Sequence, residues 1–122
     1  MLNQYSRTEL LFGKDAMETL WGSRVAVFGI GGVGGYATEA LARSGIGDLT
    51  IVDHDTVDIT NCNRQIIATQ STVGREKVEV MRERLLDINP RINIDARSLF
   101  YLPETESEFN FIKYDYILDC VD

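Results

Sequence analysis

Residues 24–34 read Arg24-Val25-Ala26-Val27-Phe28-Gly29-Ile30-Gly31-Gly32-Val33-Gly34, and this stretch decides the fold. A short apolar run rich in β-formers leads into glycines, as is typical of a parallel strand buried on both faces. Apolar residues at helical spacing follow, at Ala37, Ala40 and Leu41, and end at a capping glycine, Gly45. The stretch therefore predicts a strand, a glycine loop and a helix opening an α/β fold.

The rest of the chain alternates between helix-like and strand-like patterns. A helical lead-in covers Ser6 to Trp21 with an interruption at Gly13, and its expected buried residues are Leu10, Leu11, Ala16, Met17 and Leu20. The later patterns predict a helix at 33–43, a strand at 49–52, a helix at 74–89, a strand at 92–96, a weaker helix at 104–111 and a strand from 116. This order predicts a Rossmann-like, doubly wound fold, with a mainly parallel sheet in the order 3-2-1-4 and helices on both faces.

The chain of 122 residues, 44% hydrophobic and 25% charged, suits one globular core. We divide it into a lead-in at residues 1–22 and a Rossmann-like domain at residues 23–122. A doubly wound sheet normally continues beyond its fourth strand. We therefore interpret the chain as the amino-terminal part of the fold, truncated at its carboxyl end.

Composition excludes several classes of protein. The net charge of −7 opposes broad binding to nucleic-acid phosphates, although a local basic site remains open. No stretch approaches the roughly 20 apolar residues of a membrane span, so we expect a cytoplasmic protein without a membrane partner. Cys62 and Cys120 lie far apart without a Cys-x-x-Cys spacing, which predicts neither a disulfide framework nor a zinc ribbon.

The glycine loop predicts a nucleotide site because it follows a strand and opens a helix. We expect Gly29 to permit a tight turn, Gly31 and Gly32 to let the backbone approach a phosphate, and Gly34 to let the helix pack on the sheet. The helix amino terminus adds free N–H groups and a partial charge of about +0.5. Asp53, at the end of the second strand, is placed to accept hydrogen bonds from ribose hydroxyls.

Cations beyond the loop favour ATP over NAD, since a triphosphate carries more charge than a dinucleotide pyrophosphate. Arg64 lies in the polar cluster Asn61-Cys62-Asn63-Arg64-Gln65, and Lys77 lies in the first turn of a helix. We expect Arg64 to clamp phosphate oxygens and Lys77 to act as a point charge. Asp122, with Asp119 as a second candidate, is predicted to hold Mg²⁺ across the same crevice.

Several motifs in order resemble the ThiF/MoeB/HesA superfamily of ubiquitin-activating-enzyme-like adenylyltransferases. The residues that carry the resemblance are Gly29-x-Gly31-Gly32-Val33-Gly34, Asp53-x-Asp55, Asn61-x-Asn63-Arg64-Gln65, Val73-Gly74-x-x-Lys77, Ile88-Asn89-Pro90 and Asp119-Cys120-Val121-Asp122. Within the superfamily, Tyr5-Ser6-Arg7-Thr8-Glu9-Leu10 with Gly13, and the doubled asparagine before Arg64, are most like the tRNA threonylcarbamoyladenosine dehydratases. Gly35 departs from the pattern, because relatives often carry Ser there.

The resemblance implies specific roles for residues of this chain. It implies nucleotide contacts at Gly31, Asp53, Asp55, Asn61, Arg64, Gln65 and Lys77, a metal at Asp122, and a homodimer in which Arg7 reaches the phosphates of the neighbouring subunit's ATP. The residues alone favour a different interpretation of Asp55 and Asp58, as solvated loop residues.

The implied activity is ATP-dependent adenylation of a substrate carboxylate, namely the cyclising dehydration of threonylcarbamoyladenosine in tRNA. One alternative is activation of the carboxyl-terminal glycine of a ubiquitin-like sulfur carrier for thiamine or molybdopterin biosynthesis. Alternatives of another class are an NAD-dependent oxidoreductase and a noncatalytic interaction module. Cys62 is interpreted as a passive small residue and not a nucleophile. Cys120, expected on a buried strand, and His54 are interpreted as structural.

Overall fold

The structure is a computed structural model, and it describes residues 2–122. Its centre is a four-stranded sheet formed by β1 (Arg24–Phe28), β2 (Asp48–Val52), β3 (Asn93–Arg97) and β4 (Tyr116–Asp119). The strands lie in the order β3-β2-β1-β4 and every pairing is parallel. Both the parallel sheet and its predicted order are confirmed. All four carboxyl ends consequently lie at one edge of the sheet.

Four α-helices accompany the sheet: α1 (Ser6–Phe12), α2 (Lys14–Trp21), α3 (Gly32–Ser44) and α4 (Lys77–Ile88). α3 ends at Gly45, whose φ of 104° supplies the expected left-handed cap. α4 begins three residues later than predicted, at Lys77 rather than Gly74. The backbone at 74–75 pairs with Val57 instead, since Gly74 donates to the Val57 carbonyl and Val57 donates to the Arg75 carbonyl, each at 2.8 Å.

Each face of the sheet has its own apolar cluster. On one face, Val25, Val27, Leu49 and Ile51 pack with side chains of α3 and α4, among which Met81 and Leu85 are fully buried. On the other face, Ala26, Phe28 and Val52 pack with Phe109 and Tyr114. The alternation along β1 and β2 follows from the two-residue period of a strand, and burial on both faces explains why 25–28 and 49–52 are apolar except for Thr50.

The helix predicted at 104–111 is wrong. Two 3₁₀ turns, Glu106–Glu108 and Phe111–Lys113, occupy this region. Phe109 and Phe111 both contact the Phe28 ring, with ring centroids 5.2 Å and 6.1 Å away. Residues two apart in an α-helix point in different directions, so packing both aromatic rings on one partner requires a non-helical backbone.

Two expectations of burial are also wrong. Leu10 and Leu11 are 82% and 81% exposed, because α1 packs mainly on α2 and presents these leucines to solvent. β4 is an edge strand with an exposed Tyr116, and Cys120 follows it in a half-buried position rather than lying on a buried strand. Within residues 2–122, no helix has the length and apolar character needed to cross a membrane.

Candidate nucleotide-binding site

A cleft of about 700 Å³ lies at the carboxyl ends of the strands. It is bounded by the loop after β1, the turn after β2, the start of α4 and the segment after β4. The predicted site residues that line it are Gly29, Gly31, Asp53, Asp55, Gln65, Lys77, Asp119 and Asp122. Residues from five separate parts of the chain, with Gln65 after the polar cluster as the fifth, therefore meet where a doubly wound sheet binds ligands.

The glycine loop has the geometry that its sequence predicts. Gly29 has a φ of 94°, and a Cβ atom there would lie 2.6 Å from the Cys120 carbonyl oxygen. A Cβ atom at Gly34 would lie only 1.7 Å from the Gly29 carbonyl oxygen, so α3 approaches the loop as closely as its backbone allows. At Gly32 the nearest atoms to such a Cβ belong to the flexible Arg64 side chain.

The amino terminus of α3 has backbone N–H groups without a hydrogen-bond acceptor in the described part of the chain. Gly31 precedes the helix, and within residues 2–122 no acceptor contacts the backbone N–H groups of Gly31 or Gly32. The first N–H groups of a helix have no partner in the helix itself. Together with the helix dipole, these groups form a site for an anion.

Asp53 connects the loop to the turn after β2. Its Oδ2 accepts a hydrogen bond from the Ile30 N–H at 2.7 Å, and its Oδ1 accepts one from the Asp55 N–H at 2.8 Å. Next to it, the Gly29 N–H donates to the Val52 carbonyl at 2.8 Å. The carboxylate therefore lines the cleft and contacts the glycine loop at the same time.

Lys77 is a buried cation on the cleft wall. Its side chain is 6% exposed, and its Nζ lies 3.7 Å from Asp55 Oδ2. The Lys77 backbone N–H donates to the Asp55 carbonyl at 3.0 Å, which fixes the start of α4 against the turn after β2. Asp55 is half-exposed and also contacts His54 Nε2 at 2.9 Å. It is a paired residue of the cleft and not simply a solvated loop residue.

The polar cluster after β2 forms a 3₁₀ turn, Ile59–Asn63, that the sequence analysis does not predict. Asp58 caps the turn, and hydrogen bonds from the Thr60 hydroxyl and backbone N–H lower the pKa of its carboxyl group. Asn61 is buried, and its Oδ1 accepts a hydrogen bond from the Asp58 N–H at 2.8 Å. This bond leaves the two amide hydrogens of Asn61 for another partner.

Gln65 is a buried amide beside the glycine loop. The residue is 6% exposed, and its Oε1 has no hydrogen-bond partner within residues 2–122. Its Nε2 lies 3.5 Å from the position that a Cβ atom of Gly31 would occupy. A buried polar atom without a partner carries a desolvation cost, so this amide is suited to a ligand in the cleft.

Arg64 lies beside the cleft and not in its wall. Its Nη1 donates to Asn63 Oδ1 at 3.0 Å, and its aliphatic carbons lie over Gly32. The guanidinium is exposed and held by neutral acceptors of its own turn. Arg7 lies elsewhere, on the exposed helix α1, and is not among the residues that line the cleft.

Two acidic residues at the carboxyl end of β4 line the cleft: Asp119, the last residue of the strand, and Asp122, which follows it. Asp119 Oδ1 accepts a hydrogen bond from the Val121 N–H at 3.2 Å, and Asp122 is exposed. Between them, burial raises the pKa of the Cys120 thiol, and the Asp119 carboxylate adds to this effect. A raised pKa disfavours the thiolate that nucleophilic chemistry needs, in agreement with the structural interpretation of Cys120.

The sequence analysis missed an apolar wall of the cleft. Its side chains are Phe28, Val52, Leu99, Phe100, Tyr101, Phe111 and Ile117. The His54 ring stacks on Phe100 with centroids 3.5 Å apart. The signal in the sequence was the density of aromatic residues between 100 and 111, which a helix prediction for 104–111 obscured.

Asp53, His54 and Asp55 also carry potential metal-ligand atoms within 4.8 Å of one another, a cluster that the sequence analysis did not expect of His54. Contacts within the protein account for the short distances between these three side chains. Both Asp53 oxygens accept backbone N–H groups, and Asp55 contacts His54 and Lys77.

The parallel sheet, the glycine loop with free N–H groups, the acid after β2 and the buried lysine are features of a Rossmann-like protein of the α/β class. A sequence model of the ThiF family matches residues 5–122. The chain therefore belongs to the ThiF family, and the resemblance noted in its motifs is confirmed.

Two curated relatives match almost the whole of this chain. The chain is 52% identical to a tRNA threonylcarbamoyladenosine dehydratase of Bacillus subtilis over 122 residues, which are 100% of this chain and 48% of the relative. It is 40% identical to the Escherichia coli molybdopterin-synthase adenylyltransferase over 121 residues, which are 98% of this chain and 48% of that relative. The chain thus spans about half the length of these relatives.

A solved structure shows the same fold. The E. coli tRNA N6-threonylcarbamoyladenosine dehydratase in complex with ATP superposes with a TM-score of 0.94 at 40% identity, covering 98% of this chain and 49% of that one. A complex of the same enzyme with AMP also has a TM-score of 0.94. The Rossmann-like fold class is confirmed.

Proposed function

We propose that the cleft binds ATP, with the triphosphate at the glycine loop and Lys77 and the ribose at Asp53. The observation that carries this proposal is the buried Lys77 side chain, which lines the same cleft as Gly31, whose N–H group has no acceptor within residues 2–122. Lysine at the first position of a helix opposes the helix dipole, so an anionic partner relieves an unfavourable arrangement. The ATP complex of a 40% identical relative supports the same ligand.

The reaction proposed for the full-length protein is adenylation of a carboxylate. A carboxylate oxygen of the threonylcarbamoyl group on tRNA forms a bond to the α-phosphorus of ATP, and the bond from that phosphorus to the bridging oxygen breaks to release pyrophosphate. An atom of the carbamoyl group then forms a bond to the activated carbonyl carbon, the bond from that carbon to the phosphate oxygen breaks to release AMP, and the carbamoyl group loses one proton. The net change is an ATP-dependent dehydration, in which the protein supplies position and charge.

The chain's own residues divide this work between binding and charge stabilisation. The N–H groups of Gly31 and Gly32 orient the phosphates, and Lys77 balances their charge in a site of low exposure, where charge interactions are strong. Arg64 reaches over the loop to the charge that develops at the α-phosphate. Asn61 and Gln65 add amide groups, and Asp55 sets the position of Lys77.

The acidic residues at the carboxyl end of β4 fit a magnesium ion. Mg²⁺ prefers oxygen ligands and is usually held by one or two carboxylates together with substrate phosphates. Asp122 is exposed at the cleft, and Asp119 retains its Oδ2 after the bond to Val121. Asp122, with Asp119 as the alternative, would hold the ion. The positive charge of the ion would offset the negative charge of the phosphates.

We also propose that two copies of the protein form a homodimer, in which Arg7 of one copy reaches the ATP of the other. Within the described chain, Arg7 does not line its own cleft. Leu10, Leu11 and Phe12 on the same helix are exposed, the last to 65%. An exposed apolar patch of this kind is typical of a protein interface.

The carboxylate substrate separates two candidate functions. The 52% identity to a tRNA-modifying dehydratase favours threonylcarbamoyladenosine in tRNA. The 40% identity to a molybdopterin-synthase adenylyltransferase keeps the sulfur carrier as the second candidate. The residues described here serve the first half-reaction of either enzyme.

Pyrophosphate exchange with the full-length protein tests this choice. The assay measures return of labelled pyrophosphate into ATP, with threonylcarbamoyl-modified tRNA in one arm and a ubiquitin-like sulfur carrier in the other. Unmodified tRNA and a carrier without its terminal glycine are the matched controls. We expect exchange only with modified tRNA. Exchange only with the carrier would overturn the tRNA assignment, and tight NADH binding without ATP competition would overturn adenylation itself.

A further inference from the structure

The Asp53 carboxylate does more in the structure than a ribose contact requires. Its Oδ2 lies 2.7 Å from the Ile30 backbone nitrogen, and its Oδ1 lies 2.8 Å from that of Asp55. Hydrogen bonds to an ionised acceptor are about twice as strong as bonds between neutral groups. Asp53 is half-buried, so solvent screens these two bonds only in part.

Ile30 lies between the glycine of the tight turn and the residues whose N–H groups are free within the described chain. It separates Gly29, whose φ is 94°, from Gly31, the residue that immediately precedes α3. The Gly29 N–H is held by Val52 at 2.8 Å, and the N–H groups of Gly31 and Gly32 have no acceptor within residues 2–122. Glycines leave the backbone free to rotate. The Ile30 side chain is fully buried, and its N–H is the last backbone donor of the loop with a partner before the two free donors.

The carboxylate has enough acceptor sites for two tasks. An ionised carboxyl group offers about four lone-pair sites, and the structure uses two of them, one on each oxygen. Two sites therefore remain for the hydroxyl groups of a ribose. A bound nucleoside does not have to break the contact with Ile30.

We infer that Asp53 is a positioning residue for the phosphate site, because its bond to the Ile30 N–H sets the direction of the free N–H groups of Gly31 and Gly32. This inference rests on the proposed binding of ATP. It makes a specific claim beyond a ribose contact, namely that Asp53 supports the binding of phosphates that carry no ribose at all.

Two Asp53 variants separate position from charge. Asp53→Asn and Asp53→Ala remove the same negative charge, but only asparagine keeps an oxygen that can accept from Ile30. The probes are ATP and inorganic tripolyphosphate, which has no ribose. Asp58→Asn is the control, because it removes a charge from the same loop while asparagine still caps the 3₁₀ turn.

We expect Asp53→Ala to bind tripolyphosphate about fivefold more weakly than Asp53→Asn, which is the size of effect that loss of a hydrogen bond between neutral groups gives. Both variants should lose more affinity for ATP than for tripolyphosphate, because they also lose the contact of the Asp53 carboxylate with the ribose. Equal tripolyphosphate affinities for the two variants would overturn the inference and leave Asp53 a ribose ligand only.

Hydrogen exchange of the ligand-free protein gives an independent measurement. In the wild type the Ile30 amide should exchange more slowly than those of Gly31 and Gly32, and in Asp53→Ala it should exchange about tenfold faster than in Asp58→Asn. If Asp53→Ala does not fold, the wild-type comparison still decides, since an Ile30 amide as fast as its neighbours contradicts the inference. Failure of the wild type to bind ATP or tripolyphosphate would instead refute the proposed nucleotide function.

Discussion

Lys77 Nζ lies 3.7 Å from Asp55 Oδ2, in a cleft where the Lys77 side chain is 6% exposed. This distance is long for an ion pair, and no shorter carboxylate contact to Lys77 exists within residues 2–122. A buried charge with a weakly held partner is costly for the folded protein. The arrangement is favourable when an anion such as a phosphate also enters the cleft.

Replacing Lys77 tests this relationship. Lys77→Met keeps the length of the side chain and removes its charge, so the fold should tolerate it while ATP affinity falls on the order of 100-fold. Lys14→Met, at the exposed start of α2, is the matched control and should leave affinity unchanged. Calorimetric titration with ATP measures both. Undiminished affinity in Lys77→Met would show that the lysine does not contact phosphate.

Arg64→Ala separates catalysis from stability. Because the guanidinium is exposed and bonded only within its own turn, the melting temperature should stay within a degree or so of wild type. Adenylate formation in the full-length protein should fall on the order of 100-fold, since a charge contact in the transition state is lost. Arg75→Ala is a control, as Arg75 pairs with Glu83 on the exposed side of α4. Activity within a few-fold of wild type would favour the noncatalytic interaction module.

Gly34→Ala tests the packing of α3 against the loop. The added Cβ atom would lie 1.7 Å from the Gly29 carbonyl oxygen, so α3 has to move. Overpacking of this kind costs about 3 kcal/mol or more of unfolding free energy. Gly32→Ala is the matched control, because its nearest neighbour is Arg64 Cγ at 3.8 Å. Urea denaturation should show a large loss for the first variant and a change below about 1 kcal/mol for the second.

A pair between α3 and α4 predicts a pH dependence of stability. Burial alone would raise the pKa of the Glu39 carboxyl group, but hydrogen bonds from Arg84 and Arg43 outweigh it and lower the pKa. A lowered pKa in the folded state means that the contribution is present above the unfolded value of about 4.3 and is lost as the pH falls through the folded value.

Glu39→Gln should therefore destabilise the protein by about 1 kcal/mol at pH 7 and by much less near pH 3. Glu83→Gln breaks a more exposed pair with Arg75 and serves as the control, with a smaller expected loss. Urea denaturation at both pH values measures the difference. A loss of the same size at both would indicate that packing, and not charge, explains the effect of Glu39.

The glycine loop, the strand order and the family were within reach of the sequence, because each depends on neighbours along the chain. Gly29 needs a positive φ, Gly34 needs a close approach, and both requirements act within a single strand–loop–helix unit. Alternation of apolar runs with helical spacing then determines a parallel sheet. Local chemistry of this kind is readable from residue order alone.

The tertiary structure decided which groups contact each other at the cleft. Lys77 is buried because α4 packs on the sheet, and Asp53 holds Ile30 because β1 and β2 are adjacent strands. The aromatic segment at 99–111 forms an irregular wall because its rings pack on Phe28, against the helical pattern of its sequence. These contacts join residues far apart in the chain, and their energy depends on distance in space, which sequence patterns do not contain.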